Sequence, residues 1–199
     1  NMDLVNQLEC INRKLRISDN CLYVARFNNG LAVYDISTPT QPILLDELDI
    51  SGTVYDVIPN GNYIYCSCRS AGLIVIDQTD LQALEINSTV TTTHDIYRLT
   101  QHNNYLYASY LIEKGMDILD VSVSQTPTLK NSITDEDRIN DMQVQGNTLF
   151  VGSDLGIRLF DISDPLNPSK TLTKDVGSFS CFALGDSSIC IAEDNEGLG

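Results

Sequence analysis

The sequence predicts an all-β fold of the β-propeller class, built from four-stranded blades, on three observations. A Gly-apolar-x-apolar-x-Asp motif recurs at near-constant spacing, a strand-like segment with an aromatic residue precedes each copy, and small turn-forming residues precede that strand. Four short strands in every ~40–45 residues are typical of a propeller blade. No segment shows the sustained apolar periodicity of an amphipathic helix.

The repeated motif predicts the third strand of each blade. Its copies begin at Gly30, Gly72, Gly115 and Gly156 and end at Asp35, Asp77, Asp120 and Asp161. The aspartates are 42, 43 and 41 residues apart, and a fifth copy begins at Gly197. Because one residue per blade is spread around a ring rather than gathered at one site, we expect each carboxylate to accept N–H bonds in the following turn.

Two further columns set the register of the strands ahead of the motif. The aromatic column of the second strand is Tyr23, Tyr65, Tyr107 and Phe150, with Ile189 in the fifth copy. The apolar column of the first strand is Leu15, Val57, Leu99, Met142 and Cys181. Turn residues such as Asn60-Gly61-Asn62 separate the two strands and predict tight hairpins.

These columns divide the chain into repeats, and residues 1–199 are expected to be a single propeller domain or part of one. The repeat boundaries are approximately 12–52, 53–94, 95–137, 138–177, and 178–199 together with 1–11. Residues 1–11 align with a fourth strand, so they are expected either to complete the last blade of a closed ring or to belong to an arc with further blades.

The charge balance restricts the class of partner. Twelve basic residues stand against 27 acidic residues, which gives a net charge of −15. This argues against nucleic acid and against anionic membrane surfaces, both of which attract clustered Lys and Arg. An acidic face for a basic partner remains an alternative to a merely solvated surface. No apolar run approaches ~18 residues, so we expect no direct membrane insertion.

One column at the start of the innermost strands predicts a lining for the central channel. It contains Asp56, Arg98 and Asp141, with Lys14 and Ser180 as the remaining members. Calcium sites use six to eight oxygen ligands, so a ring of mixed charge favours a salt-linked lining over a metal site. The two histidines, His94 and His102, have no nucleophile and carboxylate placed around them. We therefore expect no catalytic residues, no metal and no cofactor.

The six cysteines are interpreted mainly as small buried apolar residues. Cys66 and Cys190 share the column of Val24, Ala108 and Val151. If the hairpin near Gly185 has a two-residue turn, Cys181 and Cys190 face one side, and a cross-strand disulfide between them is an alternative. Asn87 begins the sequon Asn87-Ser88-Thr89, a candidate glycosylation site on an outer strand.

The third-strand motif resembles the LVIVD repeat family. Its clearest copies are GLAVYDISTPTQP from Gly30 and GIRLFDISDPLNP from Gly156, whereas the copy from Gly72 lacks the Ser-x-Pro that usually follows. The resemblance implies a β-propeller, often in large secreted or surface-anchored proteins. It implies no shared reaction and no shared catalytic residues.

The sequence thus favours a non-enzymatic scaffold that contacts proteins or glycans, as part of a larger extracellular or cell-surface assembly. A cytoplasmic location also stays open. One alternative is a metal-dependent propeller hydrolase with a cation at the channel mouth. The other is a structural subunit that associates with other chains or domains through open blade edges.

Overall fold

The computed structural model describes residues 14–198, except residues 70, 136, 178, 186–187 and 194–196. Every regular element in these residues is a β-strand, and each sheet is an antiparallel meander that we call a blade. Four blades have four strands, and the fifth has three described strands. Blade 1 contains β1 (Lys14–Ser18), β2 (Cys21–Ala25), β3 (Leu31–Asp35) and β4 (Ile43–Leu48). Blade 2 contains β5 (Val54–Asn60), β6 (Tyr63–Cys68), β7 (Gly72–Asp77) and β8 (Glu85–Val90).

The remaining sheets repeat this order. Blade 3 contains β9 (Ile96–His102), β10 (Tyr105–Tyr110), β11 (Gly115–Asp120) and β12 (Thr128–Thr134). Blade 4 contains β13 (Ile139–Gln145), β14 (Thr148–Ser153), β15 (Gly156–Asp161) and β16 (Ser169–Asp175). The described part of blade 5 contains β17 (Phe179–Leu184), β18 (Ile189–Glu193) and β19 (Gly197–Leu198). The role predicted for residues 1–11 in this blade lies outside the described residues.

The blades fall into two compact units. Unit 1 is Asn1–Thr91 with Val123–Thr126 and holds blades 1 and 2. Unit 2 is Thr92–Ser122 with Pro127–Gly199 and holds blades 3, 4 and 5.

Two-residue turns join the first two strands of blades 1–4. The residues that flank each turn face each other in the pairing, as Ser18 and Cys21 do in blade 1. The first turn residue has a positive φ in all four blades: Asp19 at 51°, Gly61 at 60°, Asn103 at 51° and Gly146 at 58°. Asp, Asn and Gly are the residues that tolerate this conformation best, which explains why the turn columns contain them.

The glycine of the repeated motif has a steric role. Gly115 has a φ of 132°, and a Cβ built on it would lie 2.0 Å from the carbonyl oxygen of Ile133 on the neighbouring outer strand. Gly30 and Gly156 meet the same obstacle, at 2.1 Å and 2.2 Å from the backbone oxygens of Leu48 and Lys174. Any side chain here would force the third and fourth strands apart.

The outer strand of each complete blade is kinked. In blades 1–4 the pairing between the third and fourth strands shifts register once, as between Val33 and Tyr34 in blade 1. Such a β-bulge bends the strand that carries it. The outer strand β16 is exposed at all seven residues.

Apolar layers lie between consecutive blades within each unit. In unit 1, Tyr23, Leu31 and Val33 of blade 1 share a buried cluster with Val57 and Ile74 of blade 2. In unit 2, one buried cluster joins blades 3 and 4, and another joins blades 4 and 5 through Ile157 and Phe182. Each layer repeats because the same sequence columns supply it.

The structure corrects the predicted register of the fifth copy by one residue. Leu184, the last residue of β17, pairs with Ile189, and the N–H of Gly185 donates to the carbonyl oxygen of Ser188. Gly185 therefore flanks the turn instead of starting it. Phe182 therefore takes the column that we assigned to Cys181, and Cys190 takes the aromatic column that we assigned to Ile189. By the same shift, Ile191 rather than Cys190 matches Val24 and Cys66. The glycine was misleading because Gly61 and Gly146 do occupy the turn in other blades.

Candidate functional site

The innermost strands of neighbouring blades are joined by side chains that reach backbone atoms. In unit 1, Arg16 of blade 1 donates from Nε to the carbonyl oxygen of Val57, and its Nη2 lies 3.3 Å from Oδ2 of Asp56. In unit 2, Arg98 donates from Nε to the carbonyl oxygen of Asn140 at 3.1 Å. Each bridge crosses from one blade to the next, so these polar side chains hold blades together.

The predicted channel-lining residues take part in these bridges. Asp56 is fully buried beside Arg16, and Asp141, also buried, accepts from the N–H of Phe182 at 3.3 Å through Oδ2. Arg98 supplies the bridge from blade 3 to blade 4. Lys14 lies on β1, whereas the side chain of Ser180 lies outside what the structure describes. The corrected register places Cys181 rather than Ser180 in this column.

A bulge at the start of the inner strand is stabilised by serine. The N–H of Asp56 donates to Oγ of Ser67 at 2.9 Å, and the N–H of Arg98 donates to Oγ of Ser109 at 3.1 Å. Both serines are fully buried on the second strand, where the pairing shifts register. The hydroxyl replaces the ladder bond that the bulge removes.

The four motif aspartates accept the hydrogen bonds that the sequence suggests. In each blade Oδ1 accepts from the backbone N–H two residues later, with Asp35 to Ser37 at 2.7 Å as the shortest. Asp77 and Asp161 also accept from the hydroxyls of Thr79 and Ser163, both at 2.6 Å. These hydrogen bonds lower the pKa of all four carboxyl groups. The aspartates therefore act in the turns, one per blade.

The three tyrosines of the aromatic column each donate a hydrogen bond to a loop further along the chain. The hydroxyl of Tyr23 donates to Oε1 of Gln78 at 2.8 Å, that of Tyr65 donates to the carbonyl oxygen of Ser124 at 3.0 Å, and that of Tyr107 donates to the carbonyl oxygen of Pro165 at 3.1 Å. Burial is the main cause that raises the pKa of Tyr23 and Tyr107 to about 12. The sequence shows the column but not these contacts, because their acceptors are loop atoms about 55–60 residues away.

The cysteines differ by blade. Cys66 and Cys68 are fully buried, and burial raises the pKa of both thiols, for Cys68 to about 12. Cys181 and Cys190 are exposed and free. Cys181 pairs with Ala192 and Cys190 with Ala183, so the two cysteines are diagonal neighbours on one face. The disulfide between them stays a prediction.

The histidines and the sequon have local contacts. The ring of His94 packs edge-on against Tyr110, with 4.6 Å between centroids, and its Nδ1 lies 3.7 Å from Oε1 of Glu113. His102 lies at the end of β9 and contacts Asn103. Asn87 is exposed on β8, and its Nδ2 donates to the carbonyl oxygen of Gln125 at 2.8 Å. A glycan on Asn87 would have to displace that hydrogen bond.

A buried carboxylate in blade 3 pins the loop that precedes this blade. Asp117 is fully buried and accepts three hydrogen bonds of 2.7 Å, from the hydroxyls of Tyr110 and Ser132 and from the N–H of Thr93. Burial and this carboxylate raise the pKa of Tyr110. Thr93 belongs to the segment that enters blade 3, so the buried charge fixes the path of that segment.

A buried arginine in blade 4 holds the segment that enters this blade. Arg158 is 2% exposed, and its guanidinium lies 3.2 Å from Oδ2 of Asp135 and 3.3 Å from Oδ2 of Asp137. Both aspartates belong to the segment that enters blade 4. Asp117 and Arg158 were not predicted as site residues, although the sequence contains a signal for them. They occupy the motif column in which blades 1 and 2 have Ala32 and Ile74.

The two segments of unit 2 held by these buried charges, together with the loops between the second and third strands of blades 3 and 4, carry exposed side chains of mixed character. We call this set the unit 2 loop surface, formed by residues 93–95, 111–114, 137–138 and 154–155. Ile112 and Leu155, in the loops between the second and third strands, are 64% and 60% exposed. Asp154, which precedes Leu155 in the chain, forms an ion pair of 3.5 Å with Arg138 and also accepts from Asn140 at 2.7 Å. Because the second strand ends where the first and third begin, these loops lie at the same end of their blades.

Among the described residues, no group of three or more His, Cys, Asp or Glu side chains is arranged to hold a metal ion. No helix in the described part of the chain is long and apolar enough to cross a bilayer.

The repeated antiparallel sheets define a β-propeller protein, and solved structures of similar fold agree. A Lactobacillus plantarum protein matches with a TM-score of 0.76 at 13% identity, over 88% of this chain and 61% of that one. The periplasmic gluconolactonase of Pseudomonas aeruginosa matches with a TM-score of 0.74 at 12% identity, over 88% of this chain and 61% of that one. The computationally designed Ika8 protein matches with a TM-score of 0.69 at 13% identity, over 92% of this chain and 56% of that one. The chain thus spans about three fifths of the length of these three proteins.

The family follows from the repeats themselves. The LVIVD repeat model matches residues 12–49, 51–92 and 139–174, which together make up more than half of the chain. The protein belongs to the LVIVD repeat family. No curated protein matches the sequence significantly. At these identities the likeness to solved structures shows the fold alone.

Proposed function

We propose that the protein is a non-enzymatic binding module that contacts a protein or glycan partner through the unit 2 loop surface. The observation that carries this proposal is that buried charges hold two segments of this surface, Asp117 at Thr93 and Arg158 at Asp137. Burying the charged side chains of Asp117 and Arg158 costs solvation free energy. Blades 1 and 2 avoid this cost, because they have the apolar residues Ala32 and Ile74 in the same column. This desolvation cost is explained if the segments at Thr93 and Asp137 must keep one conformation, since rigid segments lose less entropy on binding.

The composition of the surface favours a protein partner over a glycan. Ile112 and Leu155 expose aliphatic side chains in the loops, and the ion pair of Arg138 and Asp154 adjoins Leu155 in the chain. Apolar anchors surrounded by polar groups are the usual anatomy of a protein interface. By contrast, the motif aspartates and the inner-strand column are engaged in structural hydrogen bonds, which supports a scaffold role for them.

A paired substitution tests the proposal. Immobilised wild-type protein and the double variant Ile112→Asp/Leu155→Asp would be compared for retention of proteins from an extract of the producing organism, and for binding to a glycan array. The matched control is Ile86→Asp, which alters a residue that is 47% exposed on the outer strand of blade 2. We expect a ligand that the wild type and the control retain and the double variant loses.

Two outcomes would contradict the proposal. One is a ligand bound equally by the double variant, which would place binding elsewhere. The other is turnover of an ester or lactone that is lost on Asp56→Asn or Asp141→Asn, since this would favour the metal-dependent hydrolase. Location in a larger extracellular or cell-surface assembly is part of the same proposal, supported by the family resemblance and checked by cell fractionation.

A further inference from the structure

A cleft of about 330 Å³ opens in unit 1 between blades 1 and 2. The hairpin turn at Asp19 forms one wall and the turn at Gly61 forms the other. The buried Tyr23 and Gln78 form its floor, where the Tyr23 hydroxyl donates to Gln78 and Nε2 of Gln78 donates to the carbonyl oxygen of Gly61 at 2.7 Å. These bonds fix the floor without any ligand, and the volume lies at the small end of the ~300–1,000 Å³ typical of ligand sites.

The next blade fills the corresponding space with side chains. Asn60 and Tyr63 flank the hairpin turn of blade 2 in the positions that Ser18 and Cys21 occupy in blade 1. Nδ2 of Asn60 lies 3.4 Å from Oγ of Ser124, and the hydroxyl of Tyr63 donates to Oε1 of Gln125 at 3.1 Å. Ser18 and Cys21 are too short to bridge this gap. The cleft therefore results from two small residues in a repeat whose next copy closes the same gap.

The cleft has a negative potential and an apolar side. Asp19 lines it, and the described lining residues include no Lys or Arg. Asp35 pairs with Cys21 across β2 and β3, and after burial it is the main cause that raises the pKa of the Cys21 thiol, with Asp19 adding to the effect. Pro59 and Leu81 supply apolar surface. A cation on a short aliphatic stem is complementary to this combination, because the stem packs against Pro59 and Leu81 while the charge faces the carboxylate of Asp19.

We infer that this cleft binds an alkylammonium group, either as a free aliphatic amine or as a lysine side chain of a partner protein. The site is separate from the unit 2 loop surface, so its test does not depend on the proposed function.

Amide chemical shifts of residues 18–21 and 61 in the whole protein would be followed by NMR during titration with n-butylamine and with the peptide acetyl-Gly-Lys-Gly-amide. We expect saturable shifts with dissociation constants on the order of 1 mM for the free amine. Binding of both probes assigns the site to the shared group; tighter binding of the peptide points to a protein partner, and tighter binding of the amine points to a free metabolite. 1-Butanol, which keeps the stem and lacks the charge, should give no saturable shift.

Two variants control the experiment. Cys21→Tyr restores the residue type of blade 2 and should fill the cleft, abolishing the shifts. Asp19→Asn keeps a residue that tolerates the φ of 51° and removes the charge, so we expect affinity to fall about threefold to fivefold. Equal shifts with 1-butanol, binding that survives Cys21→Tyr, or the absence of saturation with both cationic probes would overturn the inference.

Discussion

The hydroxyl of Tyr107 in blade 3 donates a 3.1 Å hydrogen bond to the carbonyl oxygen of Pro165 in the loop of blade 4. Both blades belong to unit 2, and their shared apolar layer contains the Tyr107 ring. The side chain thus joins two blades twice, through its ring and through its hydroxyl.

Tyr107→Phe should lower the free energy of unfolding by about 1 kcal/mol, because it removes one buried hydrogen bond and keeps the ring. Chemical denaturation measures this. Tyr105→Phe is the matched control on the same strand, since its hydroxyl makes no hydrogen bond within the described part of the chain. Equal losses in both variants would show that the bond to Pro165 contributes nothing.

The same tyrosine predicts a loss of stability at high pH. The pKa of Tyr107 is raised to about 12 in the fold, against about 10 in an unfolded chain. Because the pKa is raised in the fold, the protonated Tyr107 hydroxyl makes its full contribution to the free energy of unfolding below pH ~10. This contribution is lost as the pH rises towards 12. Urea midpoints between these pH values should fall more steeply in the wild type than in Tyr107→Phe; parallel curves would contradict the assignment.

Gly115→Ala should destabilise the protein by at least about 2 kcal/mol, because the new Cβ would collide with the backbone oxygen of Ile133. Gly146→Ala is the control: Gly146 also has a positive φ, but nothing lies within 4 Å of its added Cβ. We expect a cost of about 1 kcal/mol there, from conformation alone. Denaturation curves of the two variants separate the steric effect from the conformational one.

Arg158→Leu should cost about 3–5 kcal/mol, since it leaves Asp135 and Asp137 without their cation in a buried place. Adding Asp135→Asn and Asp137→Asn to this variant should recover much of the loss. Hydrogen exchange at residues 137–138 reports on the pinned loop and should accelerate in the single variant. If amide exchange at residues 137–138 is unchanged in Arg158→Leu, the ion cluster does not order this loop.

Cysteine labelling distinguishes the two environments. In native protein, iodoacetamide should modify the exposed Cys181 and Cys190 and leave the buried Cys66 and Cys68 unmodified until the chain unfolds. Peptide mapping without reductant would also reveal a disulfide between Cys181 and Cys190. Early modification of Cys66 would contradict the burial described for blade 2.

The fold follows from the sequence to a large extent because four columns repeat with the same chemistry. Glycine, aspartate and the turn each have a backbone reason that a single copy already contains, and the aromatic residue recurs because it is buried between blades. Register failed only in the fifth copy, where Gly185 resembles a turn residue. Pairing of Leu184 with Ile189 is a contact between strands, and a sequence of one chain does not display it.

Less of the candidate site than of the fold could be predicted from the sequence. Asp117 and Arg158 differ from the apolar residues of their column, which marks them as exceptions, but their partners in the preceding segments depend on how the chain returns to each blade. The cleft of unit 1 is harder still, because it arises from the small size of Ser18 and Cys21 and not from any reactive group.

The β-bulge found in each complete outer strand has a consequence for how these molecules coexist in concentrated solution. An unpaired edge recruits other strands best when it is straight and long, because the free N–H and C=O groups then present an unbroken ladder. A register shift in the middle of each edge interrupts that ladder, and Lys170 and Lys174 add charge along the fully exposed β16. The repeat that builds the blades thus also discourages them from growing into fibres.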